Sequence, residues 1–350
     1  MKKFFAVIGN PPYHENDGSG ASNDAAMPIY NKFFSEVTNN VASNVMLIMP
    51  SKWMVGGRGL DKFRQQMIQC RQIKQINDYQ ESTDCFPSSS LHIDGGVCTI
   101  LWNDDYDGNP NYIYHDEEGN VSESIRCLKN DYSDFIIRNE KVISFLKKVH
   151  NKESFADIVS ATKPYGIRKD LFNNPDKYVE AGVSEKYAET RVKIYGVKGI
   201  KGGAKRVSAF IKRNYIQKNV ENIDKYKIFF TTSYSTNAFN PPESIIASKG
   251  EICTETFLEV GPFSSKTVME NCDKYMHTLF FKALLYYGKG TMQVTRDVFR
   301  LIPMQNFGKN SDLDWTKTID DIDKQLCEKY KIEKEMLFIK EKFGGMSNVK

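Results

Sequence analysis

Apolar runs and amphipathic stretches alternate over the first hundred or so residues, which predicts strands followed by helices. The continuous apolar run at residues 4–8 is typical of a strand buried on both faces of a sheet. A second buried strand is predicted at residues 44–49, where Pro50 stops it. Between the two strands, apolar residues recur every four positions and predict one face of a helix: Ile29, Phe33, Val37 and Val41.

The same rhythm continues to about residue 105. A helix is predicted at residues 60–69, and further strands are predicted at residues 73–78 and 96–102. Strands that alternate with helices predict a parallel sheet with helices on its faces, the arrangement of Rossmann-like α/β folds.

The alternation is lost in the second half of the chain. Weaker strands and a helix occupy residues 110–150. Strand-like pieces follow at residues 192–195, 226–232 and 255–260, with helices at about 274–285 and 317–330. We therefore expect two domains: an α/β domain at residues 1–150 and a mixed α+β domain at residues 151–350.

The composition excludes several classes of protein. Hydrophobic residues make up 40% and charged residues 26% of the 350 positions, as in a soluble globular protein. The apolar runs are too short to span a bilayer, and the apolar N-terminus lacks the length and the cleavage site of a signal peptide. The 7 cysteines form no Cys-x-x-Cys pair, which argues against a zinc site or a disulfide framework. A cytoplasmic protein without a bound metal is expected.

Charge is distributed unevenly around the net value of +4. Acidic residues outnumber basic residues slightly over residues 1–150, whereas Lys and Arg clearly predominate over residues 151–230. A basic segment of this kind favours a surface that binds a polyanion, although charge runs are often only solvated surface.

Asn10-Pro11-Pro12-Tyr13 follows directly on the first predicted strand and has the clearest chemical meaning in the chain. Ligands of α/β sheets bind beyond the carboxyl ends of strands, which is where this motif falls. The prolines stiffen the turn. The side-chain carbonyl of Asn10 and the backbone carbonyl of Pro11 then form two fixed acceptors, suited to an exocyclic amino group, and Tyr13 adds a flat face for stacking. The plainer alternative is a turn that only initiates a helix.

The strand and its motif resemble those of amino-methyltransferases of the gamma arrangement. The likeness is greatest to adenine-specific methylases of type II restriction-modification systems that fuse modification with recognition (type IIG). It covers most of the chain, at residues 5–13, 28–34, 47–53, 56–60, 63–64, 85–87, 95–98, 163–168, 193–196 and 253–256.

This resemblance implies site-specific methylation of adenine in DNA with S-adenosylmethionine as the methyl donor. Because a duplex hides the amino group, the base must be flipped into a pocket. Asn10 and the Pro11 carbonyl would hold the amino group. Tyr13 and Phe86 would stack on the two faces of the ring, each contributing on the order of 1–3 kcal/mol. For Phe86 the alternative is an ordinary core aromatic. Catalysis would then be alignment of an amine with a methyl group, without a metal.

The family also places a DNA-recognition domain after the catalytic domain, which gives the basic segment a function. Double-stranded DNA is the expected partner. Glycines interrupt the segment, so backbone and cations can approach phosphates closely. The predicted DNA-binding residues are Lys198, Lys201, Lys205, Arg206, Lys212 and Arg213.

The cofactor motif departs from the family pattern. In the gamma arrangement a strand with a Gly-rich loop precedes the catalytic motif, but here Asn10 lies too near the start. Residues 287–290 read as a helix cap and residues 342–345 lie at the C-terminus, so neither is a convincing permuted copy. We expect a split enzyme whose companion subunit carries the cofactor motif, a fragment, or a chain that binds DNA without catalysis. No nuclease function is supported.

Three functions stay open at this point. The leading one is a DNA adenine methyltransferase of a restriction-modification system, or its catalytic and recognition subunit. The second is a catalytically inert, sequence-specific DNA-binding subunit. The third is methylation of a protein glutamine, because such enzymes share Asn-Pro-Pro-Tyr, and the basic second domain argues against it.

Overall fold

The computed structural model describes residues 3–15, 27–57, 59–88, 93, 95–131, 135–199, 203–235, 238–289 and 292–344. It divides into two compact units, Met1–Ser144 and Phe145–Lys350. The division falls inside a helix, Glu140–Val149, slightly before the position expected from the sequence. None of the helices in the described ranges is both long and apolar enough to cross a membrane.

Strands and helices of the first unit follow one another in the predicted order. The strands are β1 (Phe4–Gly9), β2 (His14–Glu15), β3 (Met27–Pro28), β4 (Ala42–Pro50), β5 (Ile73–Tyr79), β6 (Val97–Asn103), β7 (Asn111–His115) and β8 (Val121–Ile125). The helices are α1 (Tyr30–Glu36), α2 (Asp61–Gln69), α3 (Ser82–Cys85) and α4 (Glu140–Val149). A π-helical turn, Val37–Val41, extends α1.

A six-stranded mixed sheet in the order β1-β4-β6-β5-β7-β8 forms the framework of this unit. β1 is parallel to β4, and β5 is parallel to β7. β6 runs antiparallel to both β4 and β5, and β8 runs antiparallel to β7. The α/β class is confirmed, but the expectation of a parallel sheet is wrong for β6. In the described part of the connection from β5 to β6 there is a short helical turn, α3, and no crossover helix, and β6 runs in the opposite direction to β5.

The buried face of α1 differs from the predicted one. Tyr30, Phe34 and Thr38 are 1%, 4% and 6% exposed, whereas Phe33 is 43% exposed. Both faces have the same four-residue spacing, so periodicity cannot separate them. Thr38 can be buried because its hydroxyl donates to the Phe34 carbonyl, at 2.9 Å, and leaves no unpaired donor.

Strand β1 is parallel as predicted but not buried. Phe4, Phe5 and Ile8 are 69%, 84% and 78% exposed. β1 pairs with β4 along one edge, and no described strand pairs with its other edge. The prediction of a strand buried on both faces is therefore wrong here, because β1 is an edge strand.

The second unit combines two small sheets with a group of helices, which agrees with the mixed α+β expectation. Its strands are β9 (Arg191–Lys198), β10 (Lys205–Lys212), β11 (Tyr226–Thr231), β12 (Ile245–Ala247), β13 (Glu251–Cys253) and β14 (Phe257–Phe263). The sheets have the orders β10-β9-β13 and β12-β11-β14. Its further helices are α5 (Asp170–Asn173), α6 (Lys266–His277), α7 (Leu279–Gly288), α8 (Ile319–Tyr330) and α9 (Glu333–Phe343).

Two helices, α6 and α7, replace the single helix predicted at residues 274–285. Thr278 stands between them with extended backbone angles, and its hydroxyl accepts a hydrogen bond from the amide of Phe281. The buried Asp323 carboxylate accepts from the amides of Leu279 and Phe280, at 2.8 and 2.9 Å. These caps satisfy the first amides of α7, so the break costs little.

Candidate active site

The Asn-Pro-Pro-Tyr motif leaves the sheet at the carboxyl end of β1. The last residue of β1, Gly9, lies opposite Leu47 of β4, so the motif begins beside the end of a buried strand. Asn10 is exposed and Pro11 is half-buried. Among the described residues, no donor forms a hydrogen bond with the Pro11 carbonyl. Asn10 is therefore accessible at the end of β1, and its role and that of the Pro11 carbonyl as a pair of acceptors stay predictions.

Tyr13 anchors the motif to the core of the unit. Its ring packs edge-on against Tyr30, with ring centres 6.4 Å apart and an interplanar angle of 82°. The backbone carbonyl of Tyr13 accepts from the amide of Ile29, at 3.2 Å, just before α1 begins. Burial, and to a smaller extent Cys85, raises the pKa of Tyr13 to about 12, while the neighbouring Asn10 side chain acts in the opposite direction. The phenol is therefore neutral at physiological pH.

Phe86 follows α3 directly and is half-buried. Its amide donates to the Ser82 carbonyl at 2.9 Å, which fixes the backbone at the end of the helical turn. Cys85, the last residue of this turn, contributes after burial to the raised pKa of Tyr13. Stacking of Tyr13 and Phe86 on a base stays a prediction.

A buried ionic network, which sequence reasoning missed, holds the strand ends next to the motif. Asp78, fully buried at the end of β5, accepts from Arg138 Nε and Nη2 at 2.6 and 2.7 Å. It also accepts from the hydroxyls of Tyr112 and Ser51, both at 2.7 Å. Although burial alone would lower it, contact with Asp78 raises the pKa of Arg138. Four donors compensate the carboxylate, as a buried charge requires.

The same network fixes the loop that returns to β6. Arg138 Nη1 donates to the Gly95 carbonyl at 3.0 Å, and the Ser51 amide donates to the Gly96 carbonyl at 2.9 Å. Gly96 has a φ of +78°, and a Cβ there would lie 2.0 Å from the Tyr79 carbonyl oxygen. Only glycine fits this close approach. The loop after Phe86 is therefore tied at its far end, while residues 89–92 and 94 lie outside the described ranges.

The predicted DNA-binding residues separate into two groups at opposite ends of the β9–β10 hairpin. Lys198, Lys205 and Arg206 lie at the loop end, and Lys212 and Arg213 lie at the other end, roughly 23 Å away along the strands. Lys201 is outside the described residues, as is Arg58 of the similar segments listed above. The hairpin does not bring the predicted set into one cluster.

The first unit combines a mixed α/β sheet with an Asn-Pro-Pro-Tyr motif at the end of an open-edged strand, a combination that resembles the class of amino-methyltransferases. Comparison with known families is consistent with this class. Residues 1–86 match the model of the Eco57I restriction-modification methylase family, which confirms the resemblance inferred from the motifs.

The chain is also similar to individual proteins. It is 29% identical over 150 residues to an uncharacterized adenine-specific methylase of Mycoplasma pneumoniae, across 43% of this chain and 35% of the relative. The chain thus spans about a third of the curated relative's length. The solved type IIL restriction-modification enzyme MmeI, in complex with DNA, aligns with a TM-score of 0.46 and 8% identity, over 99% of this chain and 57% of MmeI. The type IIG restriction endonuclease BpuSI aligns with a TM-score of 0.36 and 10% identity, over 91% of this chain and 48% of BpuSI.

Proposed function

We propose that the chain is the catalytic and recognition part of a site-specific DNA adenine methyltransferase of a restriction-modification system. The observation that carries this proposal is the Asn-Pro-Pro-Tyr motif at the carboxyl end of β1, within the segment that matches the Eco57I restriction-modification methylase family. The basic hairpin of the second unit supports duplex DNA as the substrate.

Asn10 and Pro11 grip the amino group of a flipped adenine. The Asn10 side-chain carbonyl and the Pro11 backbone carbonyl each accept one amino hydrogen, which turns the nitrogen lone pair away from both oxygens. The lone pair then points at the position of the methyl donor. Tyr13, held from behind by Tyr30, and Phe86 stack on the ring and retain the base outside the duplex. Orientation supplies the rate enhancement, because no proton needs to leave before attack.

S-adenosylmethionine is the methyl donor that the family implies, and it supplies an electrophilic methyl group. The described residues do not by themselves fit a complete pocket for it. In an α/β sheet, ligands bind in a crevice between neighbouring strands at a topological switch point. β1, whose end carries the motif, has a described neighbour on one side only. This chain therefore provides the amine-binding wall.

A companion subunit that carries the cofactor motif completes the sheet. Two observations support it. Phe5 and Ile8 of β1 are 84% and 78% exposed, unlike the side chains of a finished α/β core. Ile8 lies opposite Met46 in the register of β1 and β4, so the two side chains are adjacent on one face of the sheet, and Met46 is 39% exposed. A strand added to the free edge of β1, with a helix over this face, buries these residues.

The test is methyl transfer from labelled S-adenosylmethionine to unmethylated DNA of mixed sequence by this chain together with a polypeptide that carries the Gly-rich cofactor strand, followed by identification of methyladenine. Asn10→Ala abolishes transfer and leaves DNA binding intact, because the acceptor is lost but not the recognition unit. Asn40→Ala, at another exposed asparagine, is the matched control and retains activity. Label transfer that persists in Asn10→Ala contradicts the assigned role.

An inert DNA-binding subunit is the second candidate, because the described residues do not form a complete cofactor pocket beside β1. It differs from the first candidate in one respect. The inert subunit leaves adenine unlabelled even when a polypeptide with a Gly-rich cofactor strand is bound to β1, whereas the methyltransferase becomes active.

A further inference from the structure

The β9–β10 hairpin lies in the most one-sided charge environment of the chain. Residues 191–220 contain Lys or Arg at nine positions, and neither Asp nor Glu occurs among them. The described part of this stretch places the cations on two paired strands and on the turns that follow. Because the two strands fix the positions of these cations, the contacts of each Lys and Arg side chain can be compared.

The loop end of the hairpin extends beyond the sheet to which it belongs. β13 pairs with β9 only from Lys193 to Tyr195. Residues 196–198 and 205–207 therefore form a two-stranded ribbon with no third described strand beside them. The base of the loop is fixed, because the Gly199 amide donates to Asn173 Oδ1 at 2.9 Å. This part of the ribbon, its tip, is thus anchored at its loop and pairs with no further described strand.

Two lysines face each other at this tip. Lys198 lies directly opposite Lys205 in the antiparallel register, and both are exposed. Like charges at opposing positions destabilise a sheet. Neither side chain forms an ion pair or a hydrogen bond with any residue that the structure describes. The repulsion is therefore uncompensated within the described chain, and a bound polyanion would relieve it.

Two arginines at the other end of the hairpin are already engaged by the protein, whereas Lys212 is exposed. Arg213 pairs with Asp224, with an Nη1–Oδ1 distance of 3.0 Å. Arg191, which lies opposite Lys212, donates to the carbonyls of Gly182 and Phe210. This end is therefore charged but largely satisfied by the protein itself.

The alternation of side chains along a strand places the tip cations on both faces of the ribbon. Lys198 and Lys205 share one face, and Arg206 lies on the other, where its guanidinium is 5.7 Å from the centre of the Phe257 ring. A two-stranded ribbon fits the major groove of duplex DNA. A ribbon in that position presents cations to the phosphate backbones on both sides of the groove.

We propose that the tip of the β9–β10 ribbon enters a groove of duplex DNA, where Lys198 and Lys205 contact the phosphates of one strand and Arg206 those of the other, while Lys212 and Arg213 stay off the DNA. This inference rests on the proposed function, since it assumes a DNA substrate. It divides the predicted DNA-binding set into a contacting group and a structural group.

The experiment measures how the binding constant for duplex DNA falls with salt concentration, by fluorescence anisotropy with the full chain. Each phosphate contact contributes about 0.9 to the slope of log K against log salt. Lys198→Ala/Lys205→Ala lowers the slope by about two and weakens binding by roughly tenfold per lost contact near 0.1 M salt. Arg206→Ala lowers the slope by about one. Lys212→Ala/Arg213→Ala removes the same charge from the same segment and leaves the slope unchanged.

Two failures are distinguishable in this experiment. If the unaltered chain binds no duplex DNA, the proposed function fails together with this inference. If it binds and the Lys198→Ala/Lys205→Ala variant keeps the original slope, the ribbon assignment is wrong and the proposed function stands. The melting temperature separates a folding defect from lost contact, since removing two opposed lysines does not lower it.

Discussion

β1 and β4 are neighbouring parallel strands with similar apolar sequences, and they differ in what covers them. Val45, Leu47 and Met49 of β4 are at most 3% exposed, whereas Phe5 and Ile8 of β1 are 84% and 78% exposed. A continuous apolar run is the pattern of a strand with a neighbour on each side and layers on both faces. β4 has a paired strand on each side and a buried core face, whereas β1 has a paired strand on one side only. The sequence of β1 therefore matches a larger sheet than the described one, and the Asn10–Tyr13 motif lies at the boundary.

The largest expected difference between the two strands is in the free energy of unfolding after one side chain in each strand is truncated. Met49→Ala removes a fully buried side chain and should lower the free energy of unfolding by about 2–5 kcal/mol. Ile8→Ala removes an exposed one and should change it by less than about 0.5 kcal/mol in the isolated chain. Urea unfolding of both variants measures the contrast. An equal loss in both would mean that β1 is already covered.

Hydrogen exchange tests the free edge of β1 itself. The β1 amides that do not bond to β4 should exchange in the isolated chain almost as fast as those of exposed loops, while the amides of β4 stay protected. Addition of a companion strand should slow the β1 amides and leave β4 unchanged. Uniform protection of β1 in the isolated chain would contradict the edge assignment.

The smallest expected effect concerns Tyr13 at high pH. Its pKa in the folded chain, about 12, lies above the ordinary value of 10.0, because burial disfavours the phenolate. The unfolded chain therefore ionises first, and stability that is complete below pH 10 is lost as the pH rises towards 12. Because Tyr13 is only half-buried, Tyr13→Phe should remove no more than about 1 kcal/mol of this loss. Melting temperatures of both forms between pH 8 and 11 measure it. Identical profiles would place the hydroxyl in water.

Local chemistry made some features of the fold predictable. The end of β1 and the Asn10–Tyr13 turn could be located because an apolar run and two prolines leave little choice of backbone. The face of α1 could not be chosen, since Phe33 and Phe34 are equally apolar. The direction of β6 could not be predicted either, because it depends on the path of the connection between β5 and β6.

Long-range pairing explains what was missed at the candidate site. Asp78 and Arg138 are 60 residues apart, and neither stands in a motif. Their contact follows only from the arrangement of the sheet. The burial of β1 was mispredicted for a related reason. The apolar sequence of β1 is typical of a strand that is covered on both sides, but a described strand pairs with only one of its edges.

The central claim is that Asn10 holds the adenine amino group for methylation, and methyladenine mapping in the source cells tests it most directly. Three strains are compared by sequencing that detects the modified base: unaltered, deleted for this gene, and carrying Asn10→Ala. The cells supply any companion subunit. A methylated site that is present in the unaltered strain is expected to disappear in both altered strains. A site lost on deletion but retained with Asn10→Ala would contradict the role of Asn10, and a pattern unchanged by deletion would contradict the proposed function.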